Sequence, residues 1–199
     1  MRRARRGAVG RTRSPRRGER GAALIEAAIV TPLLVMLAIG TVEVGLLFKS
    51  GVTVANTSRA GARVGSAAGR SPDADYRVLQ AVAGSSASLA SVTKVVVYKS
   101  TTASGDVPAA CVASSVGIAG VCNVYSAADF SVSQGTFTGG GYTKDDYWSA
   151  PTRNSSLSSG GGPDYLGVWV QGSHDALFNL VLVDRTVSDR TVMRLEPGS

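Results

Sequence analysis

Few residues of this 199-residue chain have the types and spacing to do chemistry. Its one histidine, His174, stands beside Asp175, and serine is plentiful, which together are the raw material of a Ser–His–Asp hydrolase. No G-x-S-x-G elbow accompanies them, and serine recurs along the whole chain, so the pattern points away from catalysis. The glycine triplets Gly139–Gly141 and Gly160–Gly162 lack a following G-K-[ST] and cannot be read as a phosphate loop. One His and two Cys leave no basis for a multi-ligand zinc site. No cofactor, metal or small-molecule substrate is expected, and the chain reads as a non-enzyme. Asn56-Thr57-Ser58 and Asn154-Ser155-Ser156 are formal glycosylation sequons. The chemistry that stands out is two carboxylates, Glu26 and Glu43, inside a run that is otherwise apolar.

The element carrying those carboxylates is a membrane span by length and composition. Residues 22–48 read AALIEAAIVTPLLVMLAIGTVEVGLLF. As a helix they would extend roughly 40 Å, against a hydrocarbon core of about 30 Å. Residues 1–20 hold nine arginines and one acid, Glu19, so this leader alone carries +8 of the net +7, and the remainder is close to neutral at −1. A nucleic-acid footprint across a folded domain is thereby excluded. The arginines form a basic leader, residues 1–21, without apolar periodicity, read as disordered. With only Lys49, Arg59 and Arg63 soon after the span, the positive-inside rule places the leader in the cytoplasm and residues 50–199 outside. A cleaved secretory signal has the same outline. Its apolar core is shorter, at about 7–15 residues, and an A-x-A site should follow it directly, where none stands here.

A carboxylate within the span costs roughly 2.5–3.5 kcal/mol on insertion scales unless something offsets it. Glu26 is either shallow enough to stay hydrated or it is paired. Were the chain cut between Gly21 and Ala22, the new amine and Glu26, the fifth residue after the cut, would lie one helical turn apart and neutralise each other. Glu43, near the far end of the span, is expected to be wet or to face a partner. Pro32 removes one backbone donor and is expected to kink or open the helix near Ala28. Gly40, Gly45 and Gly51 are small enough to favour close helix packing.

These residues carry a family resemblance. A basic leader ending in Gly21, a mature start with Glu at its fifth residue and a long apolar helix look like the class III signal of type IV pilins. More closely, Gly21, Glu26, Pro32, Gly40-x-x-Glu43-x-Gly45 and Arg59-Ala60-Gly61-Ala62-Arg63 resemble the TadE-like family, the minor pilins or pseudopilins of Flp (tight adherence) pilus systems. The resemblance covers residues 21–63. It implies a structural component of a pilus assembly or secretion apparatus, processed by a prepilin peptidase at Gly21–Ala22, with the lipid bilayer and other Tad or Flp subunits as partners. The rival reading, from another class, is an uncleaved signal-anchored protein that presents its outer domain to a ligand.

The first helix is expected to continue from the span to about residue 69, with Arg59 and Arg63 on one solvated face. An extracytoplasmic α+β domain over residues 70–199 should follow. Ser71-Pro72-Asp73 reads as a helix start, with the helix ending near Ala90. Residues 91–99 form the strongest strand signal, and residues 165–171 and 190–195 add two more strands of a small antiparallel sheet. Ala176–Leu180 reads as a short helix or turn. The 65 residues from 100 to 164, rich in Gly and Ser, read as a large irregular insertion ordered around Tyr142, Tyr147 and Trp148. Cys111 and Cys122 lie in that insertion, and an extracytoplasmic compartment favours a disulfide between them.

Overall fold

In a computed structural model, the described residues are 17–87, 91–158, 162–177 and 184–197, with side chains from Gly21 onward. The chain divides into two compact units, Met1–Thr41 and Val42–Ser199. In the first unit the described backbone is entirely helical, part of a helix α1 that runs from Arg17 to Ala68. An aliphatic run with few polar partners must satisfy its backbone internally, and the helix does so residue by residue. Leu24, Ile25, Ile29, Leu33 and Leu37 are all exposed there. The helix continues through Pro32. It is one helix long and apolar enough to cross a membrane.

The second unit begins with the rest of α1 and a short helix α2, Ala74–Ser85. Gly69 ends α1 in a left-handed conformation, φ +55°, with its N–H donating to Gly65 O at 3.1 Å. Only glycine adopts this conformation without cost. The buried face of α1 runs through Val54, Thr57, Ser58, Gly61, Ala62, Gly65 and Ser66, a helical 3–4 spacing built mostly from small and hydroxylic residues. A Cβ on Gly65 would sit 2.8 Å from Val78 Cγ2 of α2, and one on Gly61 would sit 3.0 Å from Val82 Cγ2. The glycines therefore set the distance between the helices.

Four antiparallel strands follow, in spatial order β2-β1-β3-β4: β1 Ser91–Ser100, β2 Cys122–Ser126, β3 Tyr165–His174 and β4 Arg185–Arg194. Central β1 pairs Val96 with Val124 of β2 on one side and with Trp169 of β3 on the other. β3 in turn pairs Val168 with Thr191 of β4. Alternate residues divide into two cores. Val95, Val97, Leu166, Val168 and Val170 face the helical layer with Val78, Leu79 and Val82. Val96, Tyr98, Val124 and Trp169 face the other way, where Cys111 and Val107 from the β1–β2 connection cover them. On that second face Tyr98 lies over its cross-strand partner Gly167, and its hydroxyl donates to Gly105 O at 3.0 Å.

Several sequence expectations change here. The 100–164 segment is not merely irregular. It supplies β2, an integral edge strand, together with the one-turn helices α3, Ala109–Ala113, and α4, Gln134–Thr138. Five residues bounded by Cys122 were too short to stand out beside β1. The Cys111–Cys122 disulfide is present and fastens α3 to β2. α2 stops at Ser85, short of Ala90, and its N-cap is Asp73, because Ser71 uses its hydroxyl to bond the Asp73 carboxylate. β3 reaches His174, and β4 starts at Arg185, five residues before the expected Arg190, because its full length pairs with β3. The expected helix at 176–180 lies largely outside the described residues.

The small-residue seam yields a direct expectation. Gly65→Ala should cost about 1–3 kcal/mol, the range for overpacking a filled core. Gly51→Ala, where a Cβ meets nothing within 4 Å, should be neutral or gain up to about 1 kcal/mol of helix propensity. Denaturant unfolding of the detergent-solubilised protein, read by Trp fluorescence, measures both. An unchanged midpoint for Gly65→Ala would show that the helices do not close on these positions.

Candidate membrane anchor and assembly surface

Gly21, Ala22 and Glu26 lie on α1 in the first unit, and all three are exposed. Pro32 is exposed too, and Gly40 is half-buried. No ion-pair partner of Glu26 occurs among the described residues, and a Cβ on Gly21 would meet nothing within 4 Å. The stretch expected to be processed is thus an open helix surface carrying one carboxylate.

Further along α1, Glu43 departs from the sequence reading. It was expected to be wet or partner-facing, and it is fully buried, at 0% exposure. It belongs to the second unit and starts that unit's inward-facing stripe. Seven residues on, on the same helix face, Ser50 is buried as well, and seven further is buried Thr57. Position along the helix pointed to a membrane boundary for Glu43, whereas helix phase decided its burial. Gly45 on the other side stays exposed. Arg59 and Arg63 are exposed as read, and Gly61 between them is buried. The R-A-G-A-R run therefore alternates by helix phase between a solvent-facing cation pair and a packing glycine.

Polar side chains hold the buried stripe of α1 to the sheet. Ser50 Oγ lies 3.1 Å from His174 Nδ1. Ser58 Oγ lies 2.9 Å from Thr191 Oγ1 and 3.4 Å from Asp189 Oδ2. Ser66 Oγ donates to Arg194 O at 2.6 Å. His174 and Ser50 could suggest a nucleophile and its base. The one hydroxyl proton of Ser50 is also within reach of Leu46 O at 3.1 Å, and which partner donates between Ser50 and His174 depends on the ring tautomer. Both residues are buried, and Nε2 of His174 has no partner among the described residues. The pair is a packing joint between α1 and the end of β3.

The second site that sequence reasoning missed is a buried ionic cluster beneath the insertion. Asp75, near the start of α2, accepts from Arg153 Nη2 at 2.6 Å, Asn123 Nδ2 at 2.7 Å and Tyr125 OH at 2.6 Å. Arg153 is 1% exposed and stacks over the Trp148 ring at 4.4 Å. Asn123 also bonds Trp148 in both directions, so one amide ties β2 to the 145–153 segment. Two more aspartates pin neighbouring turns. Asp129 takes Lys144 Nζ, Tyr142 OH and the Ser126 backbone, and Asp73 takes Arg77 and Gln134. Burial alone would raise both carboxyls, but these donors outweigh it and hold both below the usual range. None of these partners is close in sequence to its aspartate, apart from Ser126 and the Arg77 i+4 pair, so no local pattern announces them.

Asp145 behaves differently. Burial, reinforced by the Asp75 and Asp146 charges, pushes its carboxyl up to about 6 despite a backbone hydrogen bond and nearby Arg153. One of its oxygens is buried with no partner among the described residues.

Residues 21–63 match the family model described as TadE-like protein. No curated protein and no solved structure matches the chain.

Two expectations follow from the cluster. Arg153→Met leaves Asp75 buried without its cation, and should cost about 3–5 kcal/mol, seen as a fall in the urea midpoint. For Asp145, the folded-state value near 6 lies above the ordinary 3.8, so its contribution favours folding fully below that lower value and is lost as pH rises through 6. Asp145→Asn should therefore be more stable than the parent above that range and equal to it at acid pH. Urea midpoints across a pH series give the comparison, and parallel curves would refute it.

Proposed function

We propose that this protein is a non-enzymatic structural subunit of a Tad-type pilus assembly apparatus, a minor pilin or pseudopilin held by one membrane helix. The observation that carries the reading is the coincidence, in residues 21–63, of the TadE-like match with the exposed, apolar first part of α1. A helix of this kind has no use in water. It needs lipid or the apolar helices of other subunits around it. The arginine-rich leader supports a cytoplasmic N-terminus and an outer second unit. Prepilin peptidase would act between Gly21 and Ala22. Glu26 would then neutralise the new amine within a subunit or across to its neighbour. The outer unit offers surfaces rather than a reaction centre, in keeping with a role in assembly.

A second reading has one observation in its favour. α1, Arg17–Ala68, runs without a break through Gly21 and Ala22, so the expected cut would fall within a helical turn rather than ahead of the helix. An uncut, signal-anchored protein that presents the outer unit to a ligand fits that continuity.

Mass spectrometry of the N-terminus from native membranes separates the two, since only processing exposes Ala22. Under the first reading, Glu26→Gln should insert normally and still be cut, because loss of an intramembrane charge lowers insertion cost. Its co-purification with untagged Tad subunits should fall at least roughly ten-fold, the equivalent of about 1.4 kcal/mol per contact. Equal recovery of parent and variant would remove the charge-pair mechanism.

A further inference from the structure

We propose that the second unit rests on the outer surface of the bilayer through an apolar groove between α1 and the start of β4. The inference rests on the reading of residues 22–48 as a membrane span. The groove, about 540 Å³, is walled by Leu47, Phe48 and Val52 of α1 and Val187 of β4. It exists because its floor carries no side chain at Gly51 and only a methyl at Ala55, and a Cβ on Gly51 would meet nothing within 4 Å. Phe48 is 72% exposed and Val52 61%, values that bring no benefit in water.

Other features converge on this end of the unit. Val44, one turn before Phe48, is also exposed. Leu177 is exposed just beyond β3, whose last residue His174 bonds Ser50 of α1 and pairs with Arg185 of β4. Lys49 and Arg185 are exposed cations, one beside Phe48 in sequence and the other lining the groove. Nearby Asp184 is occupied by the Ala176 N–H at 3.0 Å. An aromatic ring, aliphatic side chains and flanking cations are what the headgroup layer of an anionic membrane accepts.

Position along the chain selects the bilayer as occupant. The span, residues 22–48, is roughly 40 Å long as a helix, so it reaches from a hydrocarbon core of about 30 Å into the headgroup layers of a bilayer of about 40–45 Å, with Leu47 and Phe48 at its outer end and Val52 four residues, roughly 6 Å, beyond. A protein partner at that depth would have to displace lipid that is already there. Val116, Tyr147 and Leu157, exposed large hydrophobics on the insertion, serve as internal controls.

The test is photolabelling of the full-length protein in nanodiscs of phosphatidylcholine and phosphatidylglycerol doped with a lipid carrying a headgroup-proximal diazirine and one carrying a mid-chain diazirine. Adduct sites are mapped by mass spectrometry. The mid-chain probe should label Leu33 and Leu37, and the headgroup probe should label Phe48, Val52 and Val187 but not Val116, Tyr147 or Leu157. In the double variant Phe48→Glu, Val52→Glu, labelling at Val187 should fall roughly five-fold or more with the span adducts unchanged. Both altered side chains are exposed, so the fold does not depend on them. If Leu33 and Leu37 are labelled while the groove is not, this inference is overturned and the span stands. Absence of labelling at Leu33 and Leu37 overturns the span and the inference with it. Protein–protein crosslinks through Phe48 in place of lipid adducts also overturn it.

Discussion

Between α1 and the layer formed by α2 and β3, a Cβ on Gly61 would come within 3.0 Å of Val82 and 3.1 Å of Val168, and one on Gly65 within 2.8 Å of Val78 and 3.0 Å of Leu166. The second unit is organised around that fit. Only because α1 comes so close can hydroxyls as short as those of Ser58 and Ser66 reach Thr191, Asp189 and the Arg194 carbonyl. Those bonds in turn hold β4, which pairs with a single neighbouring strand and would otherwise be the least secured part of the sheet. The exposed positions of Arg59 and Arg63 follow from the same phase, since turning the glycines inward turns both guanidiniums outward.

The insertion solves a different problem. A segment rich in Gly and Ser buries too little apolar surface to offset its ordering entropy. Here it is held by specific connections. The disulfide closes a loop with a separation of 11 residues, worth about 3 kcal/mol in the chain-entropy model. Asp73, Asp75 and Asp129 then fasten successive turns through charged or amide donors. Aromatic packing adds to this, with Phe137 of α4 meeting Tyr76 of α2 edge-on and Tyr142 in a tilted contact. Asp145 is the exception in the set, a carboxyl carried into the same cluster without a donor for one of its oxygens.

α1 is composed for two different surroundings. From Ala22 to Thr41 its side chains are mainly aliphatic, with Glu26 the one carboxylate, and nearly all of them are exposed. From Glu43 its inward face turns to polar and small residues that fit a protein interior, while Phe48 and Val52 keep the outward face apolar. The change of composition on the inward face, rather than any break in the helix, marks where an exposed apolar surface gives way to domain packing.

The residue pattern alone determined what depends on local or compositional physics. The apolar helix, its stop near residue 69, the β-branched core of β1 and the presence of strands near 165 and 190 were all legible, because periodicity and propensity act within a few residues. The Cys111–Cys122 pairing could be argued from compartment and spacing. Tertiary structure alone decided which face of α1 turns inward, and so buried Glu43 and joined Ser50 to His174 across 124 positions. It also recruited Cys122–Ser126 as an edge strand, and it brought Asp75 to Arg153, 78 positions away. These features rest on long-range partners, and a charged or hydroxylic side chain shows nothing in its own neighbourhood of the distant group that will satisfy it once water is gone.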